Sequence, residues 1–209
     1  MGAIADYQDR YAVAEAHFAE ALPLYQQLGD RRGENRCLSS LGVVAAVQGH
    51  DGAARDYLAA SLEICRKIGD RQGEANTVNS LAVVEQRTGN LMRSEEEFVQ
   101  SLVISREIGN QFLEAQCLNN LGWIVGQLGE YARSRTFLNE ALTLQQEIGD
   151  RWVEALCRSN LGVISHEEGG ARRSPKPPGA GSCHRPGDRR PPRRRNDPER
   201  AWRGGPDQA

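Results

Sequence analysis

Proline is almost missing from the first 169 residues: Pro23 stands alone there, and the other eight lie beyond residue 170. No apolar run approaches the roughly 20 residues that a membrane-spanning helix needs. Nor does the N-terminus carry a basic stretch followed by a hydrophobic one, so no secretory signal is expected. The four histidines, His17, His50, His166 and His184, have no repeated spacing to a cysteine or carboxylate, and no pair of them has metal-ligand spacing. A phosphate-cradling glycine loop ending in Lys-Ser/Thr is absent, and so is a strand-borne nucleophile turn. No catalytic, cofactor or metal residues are therefore expected, and the chain reads as a non-enzyme.

What the chain does contain is a period. Residues Ile108 to Gly129 read IGNQFLEAQCLNNLGWIVGQLG, and the same pattern returns 40 residues earlier, 80 earlier and 40 later. Four copies in register without an insertion mark a repeat array rather than a central-core domain. Within each copy apolar residues recur three and four apart, the spacing of one helix face. First helices are predicted near 31–48, 71–88, 111–128 and 151–168, each stopped by a glycine. Second helices are predicted near 11–28, 51–68, 91–108 and 131–148, with Pro23 expected to kink the earliest or to cost it stability. Gly-Asp or Gly-Asn separates the units: the glycine ends one helix, and Asp30, Asp70, Asn110 or Asp150 caps the next. Glu34, Glu74, Glu114 and Glu154 fall in first turns, where the helix dipole favours a negative charge. Short turns fold each pair into an antiparallel hairpin.

The charge divides the chain. Up to Gly169, 15 Lys and Arg stand against 24 Asp and Glu, a balance of −9; beyond it 11 stand against four, a balance of +7. Residues 1–169 form the expected helical array: a partial repeat, units near 31–68, 71–108 and 111–148, and an unpaired helix 151–168. Met1-Gly2 share the phase of Leu41-Gly42, so the chain is expected to be a fragment of a longer array or to have a misassigned start. Residues 170–209, rich in Arg, Pro and Gly, hold too few aliphatics to fold and read as a disordered tail. Because register is lost in mid-repeat, an out-of-frame translation accounts best for them. An Arg-rich arm for nucleic acid, or an electrostatic contact with the acidic array, is the alternative. The unpaired helix 151–168 is expected to leave an apolar face open to fraying or self-association. Cys37, Cys117 and Cys157 share one phase about 10 Å apart, too far for disulfides, which suggests small buried side chains in a reducing, cytoplasmic setting.

These residues resemble the tetratricopeptide repeat. The resemblance rests on the Leu-Gly of the first helix, its closing glycine, and two small residues of the second. The small positions are Ala14, Ala54, Ser94 and Ser134, then Ala21, Ser61, Ser101 and Ala141, with a bulky residue four after the first of them. The unit is 40 residues against the usual 34 and lacks the usual proline. The long form, with GDRxGEA between units, is similar to repeats of large bacterial signalling proteins, including ATPase-linked transcriptional regulators, and of animal spindle-orientation scaffolds. The resemblance implies an all-α superhelix of antiparallel pairs whose first helices line a concave groove. That groove would present Arg36, Ser39 and Val43, then Asn76, Asn79, Val83 and Arg87. Gln116, Asn119, Trp123 and Gln127 would follow, with Ser159 and Val163 last. Its implied partner is a protein or peptide segment, within a larger signalling or regulatory protein. A peptide- or metabolite-sensing receptor of a transcriptional regulator is the runner-up, and nucleic acid is disfavoured. Asn79 and Asn119 read equally well as helix–helix contacts, and Trp123 as packing between repeats.

Overall fold

A computed structural model describes residues 2–173, the first of two units into which the chain divides at Arg173. Eight helices occupy it: α1 (Gly2–Leu28), α2 (Arg31–Gln48), α3 (Asp51–Ile68), α4 (Arg71–Arg87), α5 (Leu91–Glu107), α6 (Gln111–Gln127), α7 (Tyr131–Ile148) and α8 (Arg151–Arg173). Helices α2/α3, α4/α5 and α6/α7 form hairpins, and each helix packs on the next along the chain.

The turns between units work as the sequence implies. Asp30 accepts hydrogen bonds from the amides of Arg32 (3.1 Å) and Gly33 (3.0 Å). Asp70 accepts from Gly73 (2.8 Å), Asn110 from Leu113 (3.0 Å) and Asp150 from Val153 (3.1 Å). The first-turn glutamates do more than face the helix dipole. Each takes a bond from the residue eight positions earlier, on the other side of the turn. Gln26 reaches Glu34 (3.2 Å), Arg66 reaches Glu74 (3.0 Å), Arg106 reaches Glu114 (2.7 Å) and Gln146 reaches Glu154 (3.3 Å). A side-chain clasp thus closes every junction between units.

Close approach within hairpins depends on the small positions. Ser94 donates to the Ala82 carbonyl at 2.7 Å and Ser134 to that of Gly122 at 2.6 Å, tying second helix to first. Leu58 and Leu138, both fully buried, lie where a side chain on Gly42 or Gly122 would have to stand. Apolar side chains of both helix sets form the core, among them Phe98, Leu118, Leu121 and Ile124, all fully buried.

Three expectations need correction. The partial repeat and the helix predicted near 11–28 are one: α1 runs from Gly2 to Leu28 with no turn at residues 8–10, and Pro23 lies inside it. The equivalent turn after α2 depends on Gly49 at φ 84°, a left-handed backbone that Asp9, at the same phase, would adopt only at a cost, so α1 stays helical there. At the other end α8 passes Gly169 and continues to Arg173; Gly169 is not among the positive-φ glycines. Gly170 follows it where other turns place His50, Asn90 or Glu130, so no polar residue starts a new helix there. Finally, the open side of α8 is not simply apolar. Arg158 and Ser165, both exposed, stand where α6 carries the buried Leu118 and Val125. Its buried residues, Val153, Cys157 and Ile164, face back into the array.

One buried residue works against stability. Gln145 has no exposed surface, and neither atom of its amide finds a hydrogen-bond partner. An unmet amide in an apolar site costs about 1–3 kcal/mol, so Gln145→Leu is expected to stabilise the array by about 1–2 kcal/mol. Urea unfolding measures it; a loss of stability instead would mean that the amide is satisfied.

Candidate functional site: the concave face

Neighbouring first helices touch, α2 with α4, α4 with α6 and α6 with α8, whereas the backbones of the second helices stay apart. The array therefore curves with its first helices inside. Between α2 and α4 the inner face holds a recess of about 320 Å³. Arg36, Ser39, Val43 and Asn76 line it, four of the residues that the sequence assigns to the groove, together with Gln72, Thr77 and Ser80.

The remaining groove residues divide into those facing solvent and those holding the array together. Arg36, Asn76, Gln127 and Ser159 are exposed, Val43 is 46% exposed and Val163 38%. Gln116, Trp123 and Val83 are half-buried, and Val83 packs against the main hydrophobic cluster. Asn119 is buried and its side-chain carbonyl accepts from Asn160 at 2.9 Å and from the Cys157 thiol at 3.5 Å. Asn79 plays a similar part, accepting from Cys117 at 3.6 Å. Arg87 donates to the Ala46 carbonyl and lies 3.5 Å from Asp51, so it clamps the end of α2. Ser39 turns its hydroxyl onto the Arg36 carbonyl at 3.2 Å.

The thiols beneath this face are poor nucleophiles. Burial pushes the Cys117 thiol up to about 11 and raises those of Cys65 and Cys157. Cys37 is raised by burial as well, against the opposing charge of Arg36. Protonated thiols in apolar surroundings do not react readily.

One residue escaped the sequence reading. Phe112 is 48% exposed at the position that Gln72 takes in the preceding unit, at the mouth of the inner face. Arg32 and Gln72 hold that phase in the earlier units and Phe112 and Trp152 in the later two, a change from polar to aromatic that is the signal.

A family model described as tetratricopeptide repeat matches residues 73–147. No curated protein sequence matches the chain. Among solved structures the helical array is similar to the crystal structure of BtubC (BKLC) from P. vanneervenii, with a TM-score of 0.71 and 20% identity. That match covers 80% of this chain and 70% of the other. It is also similar to the crystal structure of the apo form of RapI, with a TM-score of 0.69 and 17% identity, covering 79% of this chain and 46% of that one. At such identities the likeness shows the fold alone: a solenoid of helical hairpins.

Proposed function

We propose that the array is a non-catalytic module that binds a protein or peptide segment along its concave face. The observation that supports this reading most is the inner band itself. Val43, Phe112, Trp123 and Val163 alternate there with Arg36, Asn76, Gln116 and Gln127, and no described helix covers them. Half-exposed aromatics carry a disproportionate share of binding energy at interfaces, and neighbouring amides can pair with a backbone in either hydrogen-bonding role. The long 40-residue unit supports a place within a larger cytoplasmic signalling or regulatory protein. The recess beside Arg36 leaves room for the second reading, a receptor for a small peptide or metabolite.

Selection from a displayed peptide library tests the assignment. Ligands so obtained are expected to lose affinity about tenfold or more when Trp123 or Phe112 becomes alanine, with helicity unchanged. Ligands indifferent to both changes, or footprinting on α3, α5 and α7, would refute it. Self-association through α8 belongs to the same proposal. Concentration-dependent sedimentation abolished by Leu161→Lys would support it, and a single species at every concentration would end it.

A further inference from the structure

The outer side of the array holds a larger opening than the recess between α2 and α4. Between α3 and α5 lies a crevice of about 670 Å³, floored by Ala59, Leu62 and Leu81 and rimmed by charged residues that include Glu97. Its existence follows from departures in the repeat. In the next gap, between α5 and α7, Arg106 pairs with Glu140 and Arg133 with Glu95 at 2.7 Å, two straps that span the second helices. One repeat earlier those positions are Arg66 with Gln100 and Arg93 with Arg55, and among the described residues no ion pair spans α3 and α5. The filler differs too. Phe137 packs against the core of the α5–α7 gap under the Arg133 guanidinium, 5.8 Å from ring centre to charge. The α3–α5 gap has Glu97 at that position, with Tyr57 one repeat before it.

Glu97 is the unusual part. One oxygen accepts from Arg93 at 3.1 Å. The other, Oε2, is buried without a hydrogen-bond partner. Burial raises the pKa of this carboxyl, against the pull of Arg93. An orphaned acceptor in such a site favours an incoming donor, above all a charged one. The crevice's own cations are already engaged: Arg55 with Glu85, Arg66 with Glu74, Lys67 with Glu63 and Arg93 with Glu97. What is left over is the charge of Asp56, which has no ion pair among the described residues, and the unmet acceptor oxygen of Glu97. The floor meanwhile calls for apolar surface. A volume of this size lies within the range of small-molecule pockets.

We propose that this crevice is a second binding site, for a small primary amine carried on an apolar body. The ammonium group seats on Glu97, and the aromatic or aliphatic body covers Leu62 and Leu81 where the neighbouring gap places Phe137. The site lies on the face opposite the groove, so its fate and that of the groove are separable.

The probe is 2-phenylethylamine, titrated into the full chain while backbone amide shifts are followed by NMR, with 2-phenylethanol and 3-phenylpropanoate as neutral and anionic counterparts. The amine is expected to move the amides of Ala59, Leu62, Leu81 and Glu97, and to bind about tenfold or more tighter than either counterpart. Glu97→Gln should remove that preference with the fold intact. Glu97→Phe should abolish binding by filling the gap as Phe137 does; if that variant does not fold, Glu97→Gln decides alone. Equal binding of the alcohol or the anion, an unchanged affinity in Glu97→Gln, or no shift at these residues with millimolar amine would each overturn the proposal.

Discussion

Arg55→Ala is expected to destabilise the array by about 3–5 kcal/mol, more than any other single removal of a charge. The reason is the partner it leaves behind. Glu85 lies within α4 with 1% of its side chain exposed, held by Arg55 Nε at 2.6 Å and by the Asn90 amide at 2.6 Å. Burial alone would push this carboxyl up, but the bonds from Arg55 and Asn90 outweigh it and hold it below the ordinary carboxylate value. A group depressed in the folded state stabilises above its unfolded pKa, and that contribution fades as pH falls through the folded value. The deficit of the alanine variant should therefore be full at neutral pH and shrink in acid, once Glu85 is protonated in both proteins. Urea unfolding across that range measures it. A deficit under about 1 kcal/mol at neutral pH, the worth of an exposed pair, or one that ignores pH, would show that Glu85 is already satisfied without Arg55. The double change Arg55→Met with Glu85→Met should recover most of the loss, since an apolar pair leaves no charge unmet.

Gly122 and Gly162 occupy the same place in successive repeats, and substitution there is expected to act in opposite directions. A Cβ on Gly122 would come within 2.5 Å of Leu138 Cγ and 3.2 Å of the Ser134 carbonyl. With α7 fully packed against it, Gly122→Val should cost about 2–3 kcal/mol through overpacking. A Cβ on Gly162 would meet nothing within 4 Å, because no described helix lies against that side of α8. There Gly162→Ala should gain about 0.5–1 kcal/mol from helix propensity alone. Thermal or urea unfolding of the two variants side by side provides the check. If both lose stability alike, the position matters for backbone conformation rather than for contact with a second helix.

The sequence made the period, the pairing and most helix ends legible, because each depends on local chemistry repeated four times. Asp30, Asp70, Asn110 and Asp150 cap as their position implies, and α3 and α7 span the residues that the periodicity marks. Where a turn had lost its glycine or the polar residue after it, extrapolating the period failed: α1 and α8 run on. The inner face was legible in outline only. Spacing places Asn119 and Arg87 on the groove side, yet spacing cannot tell a side chain aimed at solvent from one aimed along the stack. Asn119 bonds to Asn160 and Cys157, and Arg87 bonds back to α2. The outer crevice was missed for a related reason. It comes from what Glu97, Gln100 and Arg55 are not, and such a gap shows only when successive repeats are compared in space.

The clasps across the turns have a consequence for how the array can change in length. Excising residues 71–110 would join Asp70 to Gln111 and bring Arg66 opposite Glu114, eight positions on, in the geometry it now has with Glu74. That joint is interchangeable. The seam between α3 and α4 is not, since Arg55 would then meet Val125 in place of Glu85. The Arg133–Glu95 strap is keyed as well, since Arg133 would then face Arg55. The joints at the turns accept any neighbour, while the charges set away from the turns fix the order of the units.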